Sequence, residues 1–214
     1  MNNNHPTGGA KVADRPPPTL TQPLPRGEEI RIIVGTLVRK IISGGQTGVD
    51  RGALLAAIDL GIEHGGYCPR GRLAEDGAID ARFQLTETDS TAYHIRTEKN
   101  VGESGGTLIV YRGLLVGGTA LTEKFALRHQ RPCLSIDLNQ PQPPVRVEVV
   151  RGWLRKHRIE VLNIAGPRER SQPGIQEETR QLVHDIATGA FTVRRVRGSL
   201  ESVAAPPVVH HPQD

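Results

Sequence analysis

Apolar residues along this chain fall into two alternating patterns. Short continuous runs, "RKIISGG", "GTLIVYRG", "RPCLSIDL" and "IEVLNIAGP", have the length, β-branched content and Gly or Pro boundaries of strands buried on both faces. "IEHGGY" is a shorter candidate of the same kind. Each run is followed by apolar positions at helical spacing: Val49, Ala53, Ala56 and Leu60; then Tyr93 to Val101; Leu121, Phe125 and His129; Val149 to Lys156; and Ile175 to Ile186. Strand–helix alternation sustained over roughly 150 residues predicts βαβ units, and with them an α/β, Rossmann-like parallel sheet of about five strands with helices on both faces. Residues 1–27, rich in Pro, Asn, Gly and charge, offer nothing to a core and read as a disordered leader; 193–214 read as a disordered tail. A single ligand-binding domain is expected over 28–192. Within it "EEIRIIVGTLV" is strand-like but has no evident place in the alternation.

In such sheets ligands bind beyond the carboxyl ends of the strands, where the strand order reverses. Three glycine-bearing loops fall at those ends: Ser43-Gly44-Gly45-Gln46-Thr47-Gly48, then Gly113 to Thr119, then Asn163 to Arg168. The order is expected to reverse beside Ser43. Glycines let backbone approach a ligand closely, and the helix opening near Thr47 adds free amides and the positive end of its dipole. Ser43 and Thr47 supply hydroxyls, Gln46 an amide, and Arg51 a charge one turn into the helix. A glycine-rich turn can equally be a tight connection, but "GGTALT" (Gly117, Gly118, Thr119 through Thr122) repeats the feature at a second helix start. Asp50 serves as well for a first-turn dipole partner as for a functional acid.

Neither familiar nucleotide fingerprint is present. No lysine follows the glycines as a phosphate-binding G-x-x-x-x-G-K-[ST] loop needs, and the end of the second strand carries "HGGYCPRGR" where a dinucleotide site wants an acid. A formal charge of +4 is a weak hint of nucleic acid, but aromatic content of 3% leaves no stacking platform, so no nucleic-acid partner is expected. Cys68 and Cys133 stand far apart, form no metal-ligand spacing and fit a reducing compartment. With no apolar run long enough to cross a bilayer and no signal peptide, the protein is expected to be cytoplasmic and free of membrane. The long segment "YCPRGRLAEDGAIDARFQLTET" exceeds a mere connector. If it folds over the strand ends, Arg70 and Arg72 would face an anion and Glu75 and Asp76 a heterocycle. Arg96 and Asn100 share a helix face that solvent explains almost as well.

The runs "IISGGQTGVDRGALLAAIDLGIEHGGYCPRGRLAEDGAI", "RTEKNVGESGGTLIVYRGLLVGGTALTEKFALRHQRPCLSIDL" and "EVLNIAGPRERSQPGI" resemble the bacterial putative molybdenum carrier family over about Arg39 to Ile186. That family is similar to a wider Rossmann-like group with lysine-decarboxylase-like proteins and cytokinin-activating phosphoribohydrolases. The resemblance implies a carrier that binds a phosphate-bearing small molecule, the molybdenum cofactor (molybdopterin), at Ser43 to Gly48 and at Gly117 to Thr122. It also implies assembly into a homo-oligomer through helix faces, and it departs from the family at Gly105, where an acid commonly follows the serine. The alternative is a phosphoribohydrolase-like enzyme acting on nucleoside monophosphates. Those relatives use P-G-G-x-G-T-x-x-E, whereas this chain has Val116 to Lys124, with Lys124 at the glutamate's position and Glu123 one residue early.

Overall fold

The computed structural model describes residues 31–32, 37–140, 143–188 and 191–192. The expected leader, 1–27, and tail, 193–214, lie outside them. Five strands form the central sheet: β2 (Lys40–Ile42), β3 (Glu63–Gly65), β8 (Gly106–Tyr111), β9 (Cys133–Asp137) and β10 (Val161–Ala165). All pair in parallel, in the order β3-β2-β10-β8-β9. Five helices accompany them: α1 (Val49–Asp59), α2 (Tyr93–Glu103), α3 (Gly117–Arg128), α4 (Pro143–His157) and α5 (Ile175–Thr188). The remaining strands are two-residue pieces: β1 (Arg31–Ile32), β4 (Tyr67–Cys68), β5 (Leu73–Ala74), β6 (Gly77–Ala78), β7 (Thr86–Glu87) and β11 (Phe191–Thr192).

The parallel α/β sheet with helices on both faces is the architecture expected from the hydrophobic pattern. β8 is buried along nearly its whole length, as a central parallel strand must be. Connections β2 to β3 and β9 to β10 run one way across the sheet, while β3 to β8 and β8 to β9 run the other. Right-handed crossovers then put α1 and α4 on one face and α2 and α3 on the other. The packing agrees: α5 lies against both α1 and α4, and α2 lies against α3. At Gly52 an added Cβ would stand 2.2 Å from the Gln176 carbonyl oxygen, so the close approach of α1 to α5 requires glycine.

The strand order is that of an ordinary doubly wound sheet, 3-2-1-4-5, with its central first strand contributed last, by β10. Winding therefore reverses between β10 and β8, one strand away from the place beside Ser43 where it was expected. The strand-like "EEIRIIVGTLV" supplies β1, which pairs antiparallel with β11 (Ile32 opposite Phe191) outside the central sheet. This brings the chain before β2 beside the chain after α5, where a sheet of ordinary order would have them continuous.

The long segment after β4 is folded. Ile79 and Phe83 bury against Leu54 of α1 and Cys68, forming a small core separate from the main one. Arg72, at φ 50°, turns its guanidinium inward and donates to the carbonyls of Ile79 (2.9 Å), Asp80 (2.8 Å), Phe83 (2.9 Å) and Leu85 (3.2 Å). It thus holds the loop together instead of facing an anion.

Phe83→Ala should lower unfolding stability in urea by about 3 kcal/mol, the scale of a large-to-small core change. Arg72→Met strands the carbonyls it gathers, so limited proteolysis should cut first within 70–90. Wild-type protease resistance of that segment in both variants would show that neither residue organises it.

Candidate functional site

The carboxyl ends of β2, β10 and β8 open into a cleft of about 510 Å³ lying over the reversal of winding. One wall is the first turns of α2, with Tyr93, His94, Arg96 and Thr97. Facing it are the start of α3 from Gly117 to Thr122 and the loop after β10, from Ala165 to Arg168 with Ser171 and Gln172. Gln46 and Asp50 reach it from the β2–α1 turn.

That turn is enclosed on several sides by the chain itself. The Ser43 hydroxyl donates to the Ile164 carbonyl at 2.6 Å, tying β2 to β10. Gly44 lies against the Arg96 guanidinium, whose Nη1 would be 1.4 Å from a Cβ placed there. Gly45, at φ 76°, sits beneath Leu85 and Ile79 of the long loop, and Gly48, at φ 78°, against the Pro167 carbonyl. Gln46 Nε2 donates to the Leu73 carbonyl at 2.8 Å, and the Thr47 hydroxyl bonds to the Glu75 carboxylate. Arg51 grips Asp76 (2.5 and 3.1 Å), and this bond holds the Asp76 carboxyl below its usual range. Of the six residues from Ser43 to Gly48, Gln46 is the one lining the cleft; Arg51 and the exposed Arg70 do not line it. Glu75 and Asp76 are engaged with the turn and with Arg51.

At the cleft floor Asp50, 3% exposed, accepts from Arg96 Nη1 at 2.8 Å and from the Gln46 amide at 3.4 Å. Arg96 is thereby neutralised. Asn100, on the same helix face, binds the backbone of Tyr67 in both directions (2.8 and 3.0 Å), so that face is buried instead of solvated. Two polar atoms near this floor stay buried and without a partner among the described residues, Gln46 Oε1 and Arg96 Nε.

The helix starts at this edge differ in what already satisfies them, and α2, like α3, has neither a side-chain cap nor an acid in its first turn. Glu169 accepts from the amides of Gly174 (2.5 Å) and Gln176 (3.0 Å), occupying the start of α5. Asp50 lies in the first turn of α1. α3 has neither a capping side chain nor an acid in its first turn, and the amides of Gly117, Gly118 and Thr119 have no acceptor among the described residues. A Cβ at Gly117 or Gly118 would meet nothing within 4 Å. Thr119 is buried beside them; the Thr122 hydroxyl is committed to the Gly118 carbonyl at 3.0 Å.

Glu123 and Lys124 are exposed on α3 and do not line the cleft, which leaves Asp50 as its carboxylate. Cys68 is wholly buried in the small core and cannot reach a ligand; burial pushes its thiol up, and that of Cys133 up to about 11. Among the described residues no group of three His, Cys, Asp or Glu side chains could hold a metal ion. Gly105 precedes β8 at the end of the sheet away from the cleft, so the departure from the family pattern there does not touch the site. Sequence reasoning passed over Tyr93 as a cleft residue. It also left Arg168 without a role, although it sits in the third glycine-bearing loop: its guanidinium lies over the Tyr93 ring, 4.7 Å from the centroid.

Residues 41–187 match the family model described as circularly permutated YpsA SLOG family. The crystal structure of the putative molybdenum carrier protein from Syntrophus aciditrophicus SB superposes with a TM-score of 0.69 at 45% sequence identity, covering 74% of this chain and 97% of that one. No curated protein matches the chain. The strand order accords with that description, since β10 completes last what an ordinary doubly wound chain begins with. By matched length, identity and strand order, the chain belongs to the circularly permutated YpsA SLOG family and is molybdenum-carrier-like.

Proposed function

We propose that this protein is a non-enzymatic carrier that holds a phosphate-bearing small molecule, the molybdenum cofactor, with its phosphate at the start of α3. The observation that carries this function is the start of α3: α1 and α5 bring their own acids, and α3, uncapped as α2 also is, presents unpaired amides on two glycines to an open cleft. Free amides at the positive end of a helix dipole form an anion site, and the absence of side chains at Gly117 and Gly118 lets an anion approach the backbone. Thr119 adds a hydroxyl. The cleft, at about 510 Å³, is in the range that takes a drug-sized molecule, so a phosphate and a pterin fit together.

Cargo recognition then rests on the phosphate and the heterocycle, with no metal ligation by the protein. Catalysis has little support in this geometry. Glu123, the acid nearest in sequence to the phosphoribohydrolase glutamate, points to solvent, and Asp50 is tied to Arg96. The same function keeps the protein cytoplasmic, apart from nucleic acid and membranes, and as a homo-oligomer. Among the described residues no helix is long and apolar enough to cross a membrane.

Phosphate-bearing ligands should raise the melting temperature. At a ligand concentration of about 100 Kd the gain is about 2.7 kcal/mol, a shift of roughly 5–10 °C for a domain of this size. Gly118→Leu fills open space and should leave the ligand-free protein folded while abolishing the shift; persistence of the shift would place the anion elsewhere. Native mass spectrometry of protein purified without oxygen should show a phosphorylated pterin retained.

A panel of nucleoside 5′-monophosphates should yield no free base over hours of incubation. Sustained release, cut about a hundredfold or more by Glu123→Gln as expected of a general acid–base group, would overturn the carrier function in favour of a hydrolase.

A further inference from the structure

We infer that Arg168 is the side chain that completes the phosphate site, reaching the anion from within the same cleft and held ready by Tyr93. The inference rests on the carrier function proposed above and adds the counter-charge that function lacks. A phosphate monoester carries about −1.5 to −2 at pH 7, whereas a helix start supplies only about half a positive charge. The balance has to come from a cation that lines the same cleft.

Two arginines line it, Arg96 and Arg168. Arg96 is held by the Asp50 carboxylate at 2.8 Å and packed onto Gly44, so its charge is already matched. The Arg168 guanidinium has no carboxylate or carbonyl partner among the described residues; it lies over the face of Tyr93. That difference is chemical. A carboxylate consumes both the charge and the in-plane N–H donors of a guanidinium, while a ring face attracts the charge and leaves the fork of donors free. A guanidinium with a free fork suits two phosphate oxygens at once. Other arginines nearby are engaged elsewhere: Arg51 with Asp76, Arg72 with four loop carbonyls, and Arg112 with Glu178.

The loop that carries Arg168 is pinned. Gly166 packs so tightly that a Cβ would lie 2.2 Å from the Val110 carbonyl oxygen. Gln172 accepts from the Arg112 amide at 3.0 Å and donates to the Arg112 carbonyl at 2.9 Å, bridging the reversal between β10 and β8. Glu169, the next residue, is fixed on the start of α5. Arg168 therefore projects from a fixed backbone toward Tyr93 of α2, in the cleft that the free amides of α3 also line.

The test is isothermal titration of the full chain with inorganic phosphate and, separately, with adenosine 5′-monophosphate. Arg168→Gln should weaken both probes roughly tenfold to a hundredfold, the scale of a charge-assisted hydrogen-bonded pair. Arg168→Lys should recover part of the loss, Arg168→Met should reproduce it, and Tyr93→Ala, which removes the ring under the guanidinium, should weaken both probes by a smaller factor. Ligand-free melting temperatures of the Arg168 variants should stay within about 2 °C of wild type, because the guanidinium makes no hydrogen bond or ion pair among the described residues. If wild type binds both probes, Gly118→Leu abolishes binding and Arg168→Gln changes nothing, the role of Arg168 falls while the carrier function stands. If wild type binds neither probe, phosphate recognition itself falls, and the role of Arg168 with it.

Discussion

The buried pair of Asp50 and Arg96 joins the two faces of the sheet at its carboxyl edge. Asp50 belongs to α1 on one face and Arg96 to α2 on the other, and their contact crosses the floor of the cleft. Two charges taken out of water are costly unless they meet each other, and removing one of such a pair typically costs about 3–5 kcal/mol. The pair also dictates the chemistry around it. Gly44 has to be glycine for the guanidinium to lie there, the Gln46 amide is drawn to the same carboxylate, and the strongest cation at the floor is neutralised before any ligand arrives.

From that pair outward, the edge divides into closed and open parts. The long loop between β4 and α2 is a cover for the first glycine turn, with its own apolar core and Arg72 as its internal tie. It consumes the side chains of Gln46, Thr47 and Arg51 that would otherwise make that turn an obvious anion cradle. Glu169 does the same for the start of α5. What stays open is the start of α3, where neither an acid nor a side-chain cap intervenes and, unlike at the similarly uncapped α2, two glycines leave the backbone bare.

Much of the fold could be read from the chain. Continuous apolar runs such as "GTLIVY" report burial on both faces, and the periods of α3 and α5 report one buried stripe each, because each element's burial is written in its own residues. Less of the site could be read that way. "SGGQTG" and "GGTALT" carry the same local signature, and nothing within either distinguishes the turn that is covered from the one that is open. Arg96 and Asn100 showed only a shared helix face, one that solvent explained almost as well.

Sequence by itself determined the alternation of strands and helices, the parallel sheet, the three loops gathered at one edge and the family to which the motifs point. Tertiary structure alone decided that β10 enters between β2 and β8, so that winding reverses there and not beside Ser43. It also decided which charges are available: Arg96 meets Asp50 across 46 positions and Arg51 meets Asp76 across 25, while Arg168 finds only the ring of Tyr93. The physical reason is that burial patterns are local and periodic, whereas the state of a charge depends on the partner the fold places within a few ångströms, a partner that sequence spacing does not disclose.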